Sequence, residues 1–141
     1  IECALGTKLL DRIDQMNQEK RQRAIKFIDA MADHPELEFH RVDSKRHNYH
    51  LLVARMLNGN RDRFIQKMAE DEKIQCVVQY CPLYRYDFYK KVGYGEADCP
   101  NTDQLFDNMI SFPFHIWMTN KQFDYLISSV KKSLINLQKH R

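Results

Sequence analysis

From residue 4 to residue 33, apolar side chains return every three or four positions: Leu5, Leu9, Ile13, Met16, Ala24, Phe27, Ile28 and Met31. That spacing lines them along one stripe of an α-helix. Lys20 alone breaks the seam, and Asp11, Arg12, Glu19, Arg21, Arg23 and Lys26 fall on the other faces. The pattern predicts one amphipathic helix of about thirty residues, stopped ahead of Pro35 because a residue before proline is pushed out of the helical region. A helix of that length takes most of its stability from a surface packed along it. The remainder of the chain, or another domain, has to provide that surface.

Two strands are predicted next, Leu37 to Val42 and Tyr49 to Met56, joined by the polar turn Asp43-Ser44-Lys45-Arg46 and therefore antiparallel. Asn58-Gly59-Asn60 is a second turn, with Asn60 placed to cap a helix to about Asp71 that points Phe64, Ile65 and Met68 inward. Ile74 to Tyr80 reads as a third strand, with Ile74, Cys76, Val78 and Tyr80 sharing one face. A tyrosine-rich stretch, Tyr80 to Tyr94, holds a short helical turn, and Gly93, Gly95 and Pro100 mark a loop. A short helix from Asn101 or Thr102 to about Met109 follows, and then an extended piece, Ser111 to Phe114. Thr119-x-x-Gln122 is a capping box, with Met118 and Phe123 as its hydrophobic staple. The last helix buries Phe123, Leu126, Ile127, Val130, Leu134 and Leu137. The fold class is α+β: a small antiparallel sheet with helices packed on one face, preceded by a long connecting helix. Residues 1–34 form that helix and 35–141 the small domain, and the open face of the sheet is free to meet another domain.

Several functions are excluded early. The chain has 141 residues and a net charge of +3 from 22 basic and 19 acidic side chains, which is too mild to demand nucleic acid. No apolar run approaches the roughly 20 residues of a membrane helix. Its four glycines form no phosphate-cradling loop, and Cys3, Cys76, Cys81 and Cys99 include no C-x-x-C pair. The cysteines read as unpaired thiols of a cytoplasmic chain, with Cys76 a core residue. The opening at Ile1 reads as a cut through a longer protein.

The groups able to do chemistry are few. His40, His47 and His50 gather near the strand pair, but in a strand His47 and His50 fall on opposite faces, so a shared metal site is not expected. They read as ordinary hydrogen-bonded histidines, with a substrate contact by His50 as the other reading. Tyr80, Tyr84, Arg85, Tyr86, Tyr89 and Tyr94 make an aromatic and basic strip. It either holds a nucleotide and its phosphates or packs against a neighbouring domain. Lys20-Arg21-Gln22-Arg23 reads as a solvated helix face. Ser128-x-x-Lys131 matches a nucleophile pair in spelling only. No carboxylate pair or Ser/His/Asp order marks an acid–base site.

Taken together, several segments resemble one family. The opening Ile1 to Asp14 is similar to a helix beginning "E-x-x-A-A-x-G" and continuing to an arginine run, here Lys20-Arg21-Gln22-Arg23. His47-Asn48-Tyr49-His50-Leu51-Leu52-Val53 resembles an "H-x-(aromatic)-H-(apolar)" strand, and Asn60-Arg61-Asp62-Arg63 the start of the following helix. Tyr80-Cys81-Pro82-Leu83-Tyr84 resembles "Y-x-P-L-H". Cys99-Pro100-Asn101-Thr102 and Ile110-Ser111-Phe112-Pro113 with Met118-Thr119 resemble two further segments near the family's end. These lie in order in the C-terminal part of the DegT/StrS-type sugar aminotransferases, enzymes dependent on pyridoxal phosphate (PLP) with the aspartate aminotransferase fold.

The resemblance implies that the parent protein transfers an amino group, from glutamate, onto a nucleotide-linked keto sugar and works as a homodimer. It implies that the Schiff-base lysine, the acid beside the pyridine nitrogen and the phosphate loop belong to a large upstream domain. This chain alone is then expected to be inactive and to bind no PLP. The substrate-side residues it implies here are His50, Tyr80, Tyr84 and Arg85, in orienting roles, with Tyr84 replacing the family's histidine. The alternative is a non-catalytic nucleotide- or protein-binding module derived from that family.

Overall fold

The computed structural model describes residues 2–40, 42 and 46–139. Helices α1 (Glu2–Leu10) and α2 (Ile13–Ala30) lead into strands β1 (Leu37–Phe39) and β2 (Leu52–Met56). Then come α3 (Arg61–Glu70), a 3₁₀ turn (Leu83–Arg85), α4 (Asp87–Lys91), α5 (Pro100–Asn108), β3 (Met109–Phe112) and α6 (Asn120–Lys139). The predicted thirty-residue helix is thus two. At the break the Arg12 N–H reaches back only to Leu9 O, at 3.1 Å, and the ladder resumes where Met16 N–H meets Arg12 O at 3.0 Å. Packing explains why nothing straightens it. No residue of α1 is buried, and Leu5, Leu9, Leu10 and Ile13 are all exposed. Only the second half of the stripe, Ala24, Phe27 and Met31, enters the core.

The sheet is antiparallel in the order β1-β2-β3. Register sets Leu37 against Met56, Phe39 against Ala54, Ala54 against Ile110 and Leu52 against Phe112. Those side chains share one face, which α2, α3 and α6 cover with Phe27, Phe64, Met68, Phe123, Leu126 and Val130. On the other face Arg55 pairs with Glu38 and donates to Gln104 Oε1 of α5 at 3.4 Å. The α+β class therefore holds, but the third strand is Met109–Phe112 and not Ile74 to Tyr80. All four β3 residues are buried, whereas the alternation in 74–80 buries Cys76 alone and leaves Tyr80 exposed. That segment touches the sheet through one bridge, Val77 with Ser111, by hydrogen bonds of 3.0 and 2.8 Å. The turn predicted at Asp43-Ser44-Lys45-Arg46 lies, but for Arg46, outside the described residues.

Phe27 sits at the centre of the core and is fully buried. Its ring centroid lies 5.0 Å from Phe112, 6.1 Å from Phe39 and 6.4 Å from Phe123, so one side chain of α2 touches both outer strands and α6. Beside it the basic run departs from the expected solvated face. The Lys20 ammonium stands 5.7 Å from the Phe114 ring and donates to His50 O at 3.3 Å. Arg23 Nη1 donates to Met118 O at 2.6 Å, and Lys26 meets Asp124 at 2.7 Å. Cations on three successive turns of α2 thus grip the start of α6 and the loop before it.

The capping box forms as read. Gln122 N–H donates to Thr119 Oγ1 at 3.2 Å, and Thr119 N–H to Gln122 Oε1 at 2.8 Å, while Met118 and Phe123 are buried beside it. Asn60 differs. Its side chain makes no cap, and its backbone carbonyl accepts from Phe64 N–H at 2.9 Å. Buried Glu72 ties the turn after α3 to α6, accepting from Ser129 Oγ at 3.0 Å and pairing with Lys132 at 2.7 Å. The Lys132 hydrogen bond holds its carboxyl below the usual glutamate range.

Phe27→Ala should cost about 3–5 kcal/mol, the range for emptying a fully packed aromatic site. Leu9→Ala, on the exposed stripe of α1, should change stability by no more than about 0.5 kcal/mol. Urea unfolding of both variants checks this, and equal losses would contradict the division of the stripe.

Candidate functional site

Pro82 opens the 3₁₀ turn at φ −55°, the value its ring enforces. Arg85 N–H closes back on Pro82 O at 2.9 Å, which sets Tyr84 and Arg85 side by side. Across from them α5 starts with Pro100 in its first turn and presents Asp103 and Asp107. Four residues apart, the two carboxylates share one helix face. Asp103 Oδ1 accepts from Tyr84 Oη at 2.8 Å and from Arg85 Nε at 2.7 Å. Asp107 takes the other end of the guanidinium, with Nη1 at 2.7 Å from Oδ1 and Nη2 at 3.3 Å from Oδ2. The Phe106 ring centroid lies 5.0 Å from the guanidinium carbon. Burial, and then the Asp103 hydrogen bond, push the Tyr84 phenol up to about 12. The hydrogen bond from Arg85 holds the Asp107 carboxyl below the usual aspartate range.

Tyr80 lies just before this clamp and is 70% exposed. Leu83, Tyr86, Phe88 and Tyr94 are exposed along the same segment, so the aromatic strip is a surface feature. His50 is elsewhere. Tyr49 sits at φ 48°, a left-handed value that is an outlier for a bulky side chain. Its N–H donates to His47 Nδ1 at 3.1 Å, and His50 N–H donates to Asn48 Oδ1 at 3.0 Å. This backbone is not a strand, since β2 begins at Leu52, so the expected placement of His47 and His50 on opposite faces fails. Both, with His40, line one hollow of about 320 Å³ whose walls include Ile28, Val42 and Met109.

The structure therefore brings together Tyr84 and Arg85, places Tyr80 on the same segment and sets His50 apart, since none of the other three lines its hollow. Asp103 and Asp107 are the residues that the sequence reading misses, although a D-x-x-x-D spacing following a Tyr-Arg pair is the signal that finds them. Among the described residues no three His, Cys, Asp or Glu side chains gather as metal ligands. Cys76 is a core thiol, pushed up to about 12 by burial.

A resident PLP would need an amine for its aldehyde, a carboxylate beside its ring nitrogen and donors for its phosphate. The described residues do not assemble that set. The hollow at His50 is lined by imidazoles, Asn48, Tyr49 and apolar groups, the Lys20 ammonium is held by His50 O and Phe114, and the Arg85 fork is closed on carboxylates.

Residues 1–131 match the model of the DegT/DnrJ/EryC1/StrS aminotransferase family. The chain belongs to this family. The spore coat polysaccharide biosynthesis protein SpsC of Bacillus subtilis is 28% identical over 137 residues, which are 93% of this chain and 35% of SpsC. The UDP-4-amino-4,6-dideoxy-N-acetyl-beta-L-altrosamine transaminase of Campylobacter jejuni is 26% identical over 144 residues, 99% of this chain and 38% of that protein. The PLP form of the putative sugar aminotransferase Spr1654 from Streptococcus pneumoniae shares the fold at a TM-score of 0.79 and 24% identity, over 94% of this chain and 34% of that one. The chain thus spans little more than a third of the curated relatives it matches.

The Arg85 clamp makes stability depend on acid. A depressed Asp107 contributes in full above the ordinary carboxyl pKa, and the contribution is lost as pH falls through the lowered value. Asp107→Asn should lower the urea midpoint at neutral pH and flatten its fall below about pH 4. An unchanged acid limb would show that the pair carries no linkage.

Proposed function

We propose that this chain is the C-terminal, substrate-facing part of a PLP-dependent aminotransferase that aminates a nucleotide-linked keto sugar for polysaccharide or glycoconjugate biosynthesis. Glutamate is the amino donor, and the working enzyme is a cytoplasmic homodimer. One observation carries the reading: a sugar aminotransferase family model runs through residues 1–131, while the chain equals little more than a third of its relatives. Relatives from Campylobacter jejuni and Aneurinibacillus thermoaerophilus are named as nucleotide-sugar transaminases.

PLP supplies the electron sink, and the groups that hold it lie in a large domain outside these residues. This chain orients the sugar nucleotide. Tyr84 meets it from a position set by Asp103, Arg85 holds the 3₁₀ turn on α5, and Tyr80 adds an exposed aromatic face. His50 meets it from the rim of its hollow. None of the four serves as acid or base. The exposed aromatic strip also favours a second reading, a non-catalytic nucleotide- or protein-binding module. The coding sequence upstream of Ile1 separates the two, because only the enzyme needs a PLP lysine there.

In the longer polypeptide, loaded with PLP and supplied with glutamate and a UDP-linked keto sugar, Tyr84→Phe and Arg85→Ala should each lower kcat/KM about tenfold or more. For Tyr84 that is the worth of one hydrogen bond to a substrate, and for Arg85 it is the loss of the turn that holds Tyr84 in place. Unchanged kcat and KM in both variants would remove these residues from the substrate site.

A further inference from the structure

We infer that Asp103 and Asp107 are positioning residues: they turn Tyr84 into a hydrogen-bond acceptor for a hydroxyl or amine of the substrate and withdraw Arg85 from phosphate recognition. The substrate half of this inference rests on the proposed function, whereas the positioning half rests on geometry alone.

A phenol has one proton to give. Tyr84 gives it to Asp103, at 2.8 Å, so toward any ligand its oxygen has only lone pairs to offer. A bound group there must bring an O–H or N–H of its own. A phosphate oxygen, which only accepts, finds no donor.

Arg85 beside it appears in sequence to be the natural phosphate anchor, and the structure removes it from that role. Nε and Nη2 meet Asp103, and Nη1 and Nη2 meet Asp107, with Phe106 against the guanidinium. One positive charge faces two negative ones, and Arg61 next to Asp107 brings the local sum close to zero, so no net positive charge is left beside Tyr84 to draw phosphate. Both carboxylates come from one helix at a spacing of four, so the orientation is fixed by α5 and does not need the ligand. The clamp therefore discriminates between the two ends of a sugar nucleotide. It admits the hydroxyl- or amine-bearing sugar and turns away the diphosphate.

The test uses the chain labelled with ¹³C at the tyrosine ring carbon that bears oxygen, with the Tyr84 signal assigned by its loss in Tyr84→Phe. In the wild-type chain this signal should stay in its neutral position to pH 11, one unit below the value of about 12. Asp103→Asn should bring its titration down by the part that the carboxylate contributes, while burial, the larger cause, keeps it above the ordinary tyrosine value of about 10, and Asp103→Glu should restore the wild-type behaviour. An Asp103→Asn chain that titrates like wild type overturns the positioning role. If that variant does not fold, Asp107→Asn decides instead. The Arg85 Nη protons should then exchange faster with solvent while Nε–H stays protected, and unchanged Nη exchange overturns the role.

A second titration adds a UDP-linked N-acetylhexosamine or inorganic pyrophosphate to the wild-type chain. The sugar nucleotide should move the Tyr84 signal and pyrophosphate should not. A shift with pyrophosphate overturns the acceptor assignment. No shift with either overturns the placing of substrate at Tyr84, and with it that part of the proposed function, while the first titration still decides the positioning role.

Discussion

The fold hangs on the burial of Phe27. Of the long apolar stripe at the start of the chain, only the turns around Phe27 meet a partner surface. This ring contacts Phe39 of β1, Phe112 of β3 and Phe123 of α6. A helix long enough to pass the sheet is held by its second half, and its hydrogen-bond ladder breaks at Arg12, within the exposed stretch ahead of the packed turns. The cations Lys20, Arg23 and Lys26 reinforce the same docking by reaching over Phe114 and Phe123. Because these contacts set α2 against the sheet and α6 together, they also fix Ile28 and Tyr49, two walls of the hollow that His50 lines.

On the far side of β2, charge does the work that rings do in the core. Arg55 links the sheet to Gln104 of α5, and Arg85 links α5 to the 3₁₀ turn. Both guanidiniums are planar forks matched to carboxylates or amides, which suits them to hold backbone segments that share little apolar surface. The tyrosine-rich segment is thus anchored at one end, by Tyr84 and Arg85, while its aromatic rings at Tyr80, Phe88 and Tyr94 stand exposed. A rigid foot beneath an aromatic surface suits a face that meets a ligand or another domain.

What was legible in the sequence followed from period and from local hydrogen bonding. The α6 stripe, the Thr119–Gln122 box and the inward side chains of α3 depend on residues within one or two turns of each other, and they were read directly. The failures share a different cause. The alternation from Ile74 to Tyr80 is a good strand pattern, but β3 offered β2 four buried residues and took the place. The strand period does not reach back through His47 and His50, because the left-handed Tyr49 and two side-chain-to-backbone bonds end it there. The cationic run of α2 looks solvated in sequence because its aromatic partners, Phe114 and Phe123, lie roughly a hundred residues away. The roles of Asp103 and Asp107 depend on the loop that folds the 3₁₀ turn back onto α5, about twenty residues along the chain, which no local period announces. Of the four site residues, the family resemblance supplied the names, and only the fold shows that Tyr84 and Arg85 form one unit apart from His50.

The central proposal is that this chain supplies a substrate-orienting surface while the groups that make PLP chemistry possible lie outside it. Its most direct test is a visible absorption titration of the 141-residue chain with PLP, before and after adding glutamate. The account predicts the spectrum of free PLP, altered only by weak, non-saturating reaction with surface lysines and indifferent to glutamate. A saturable bound-imine band that glutamate discharges would contradict it.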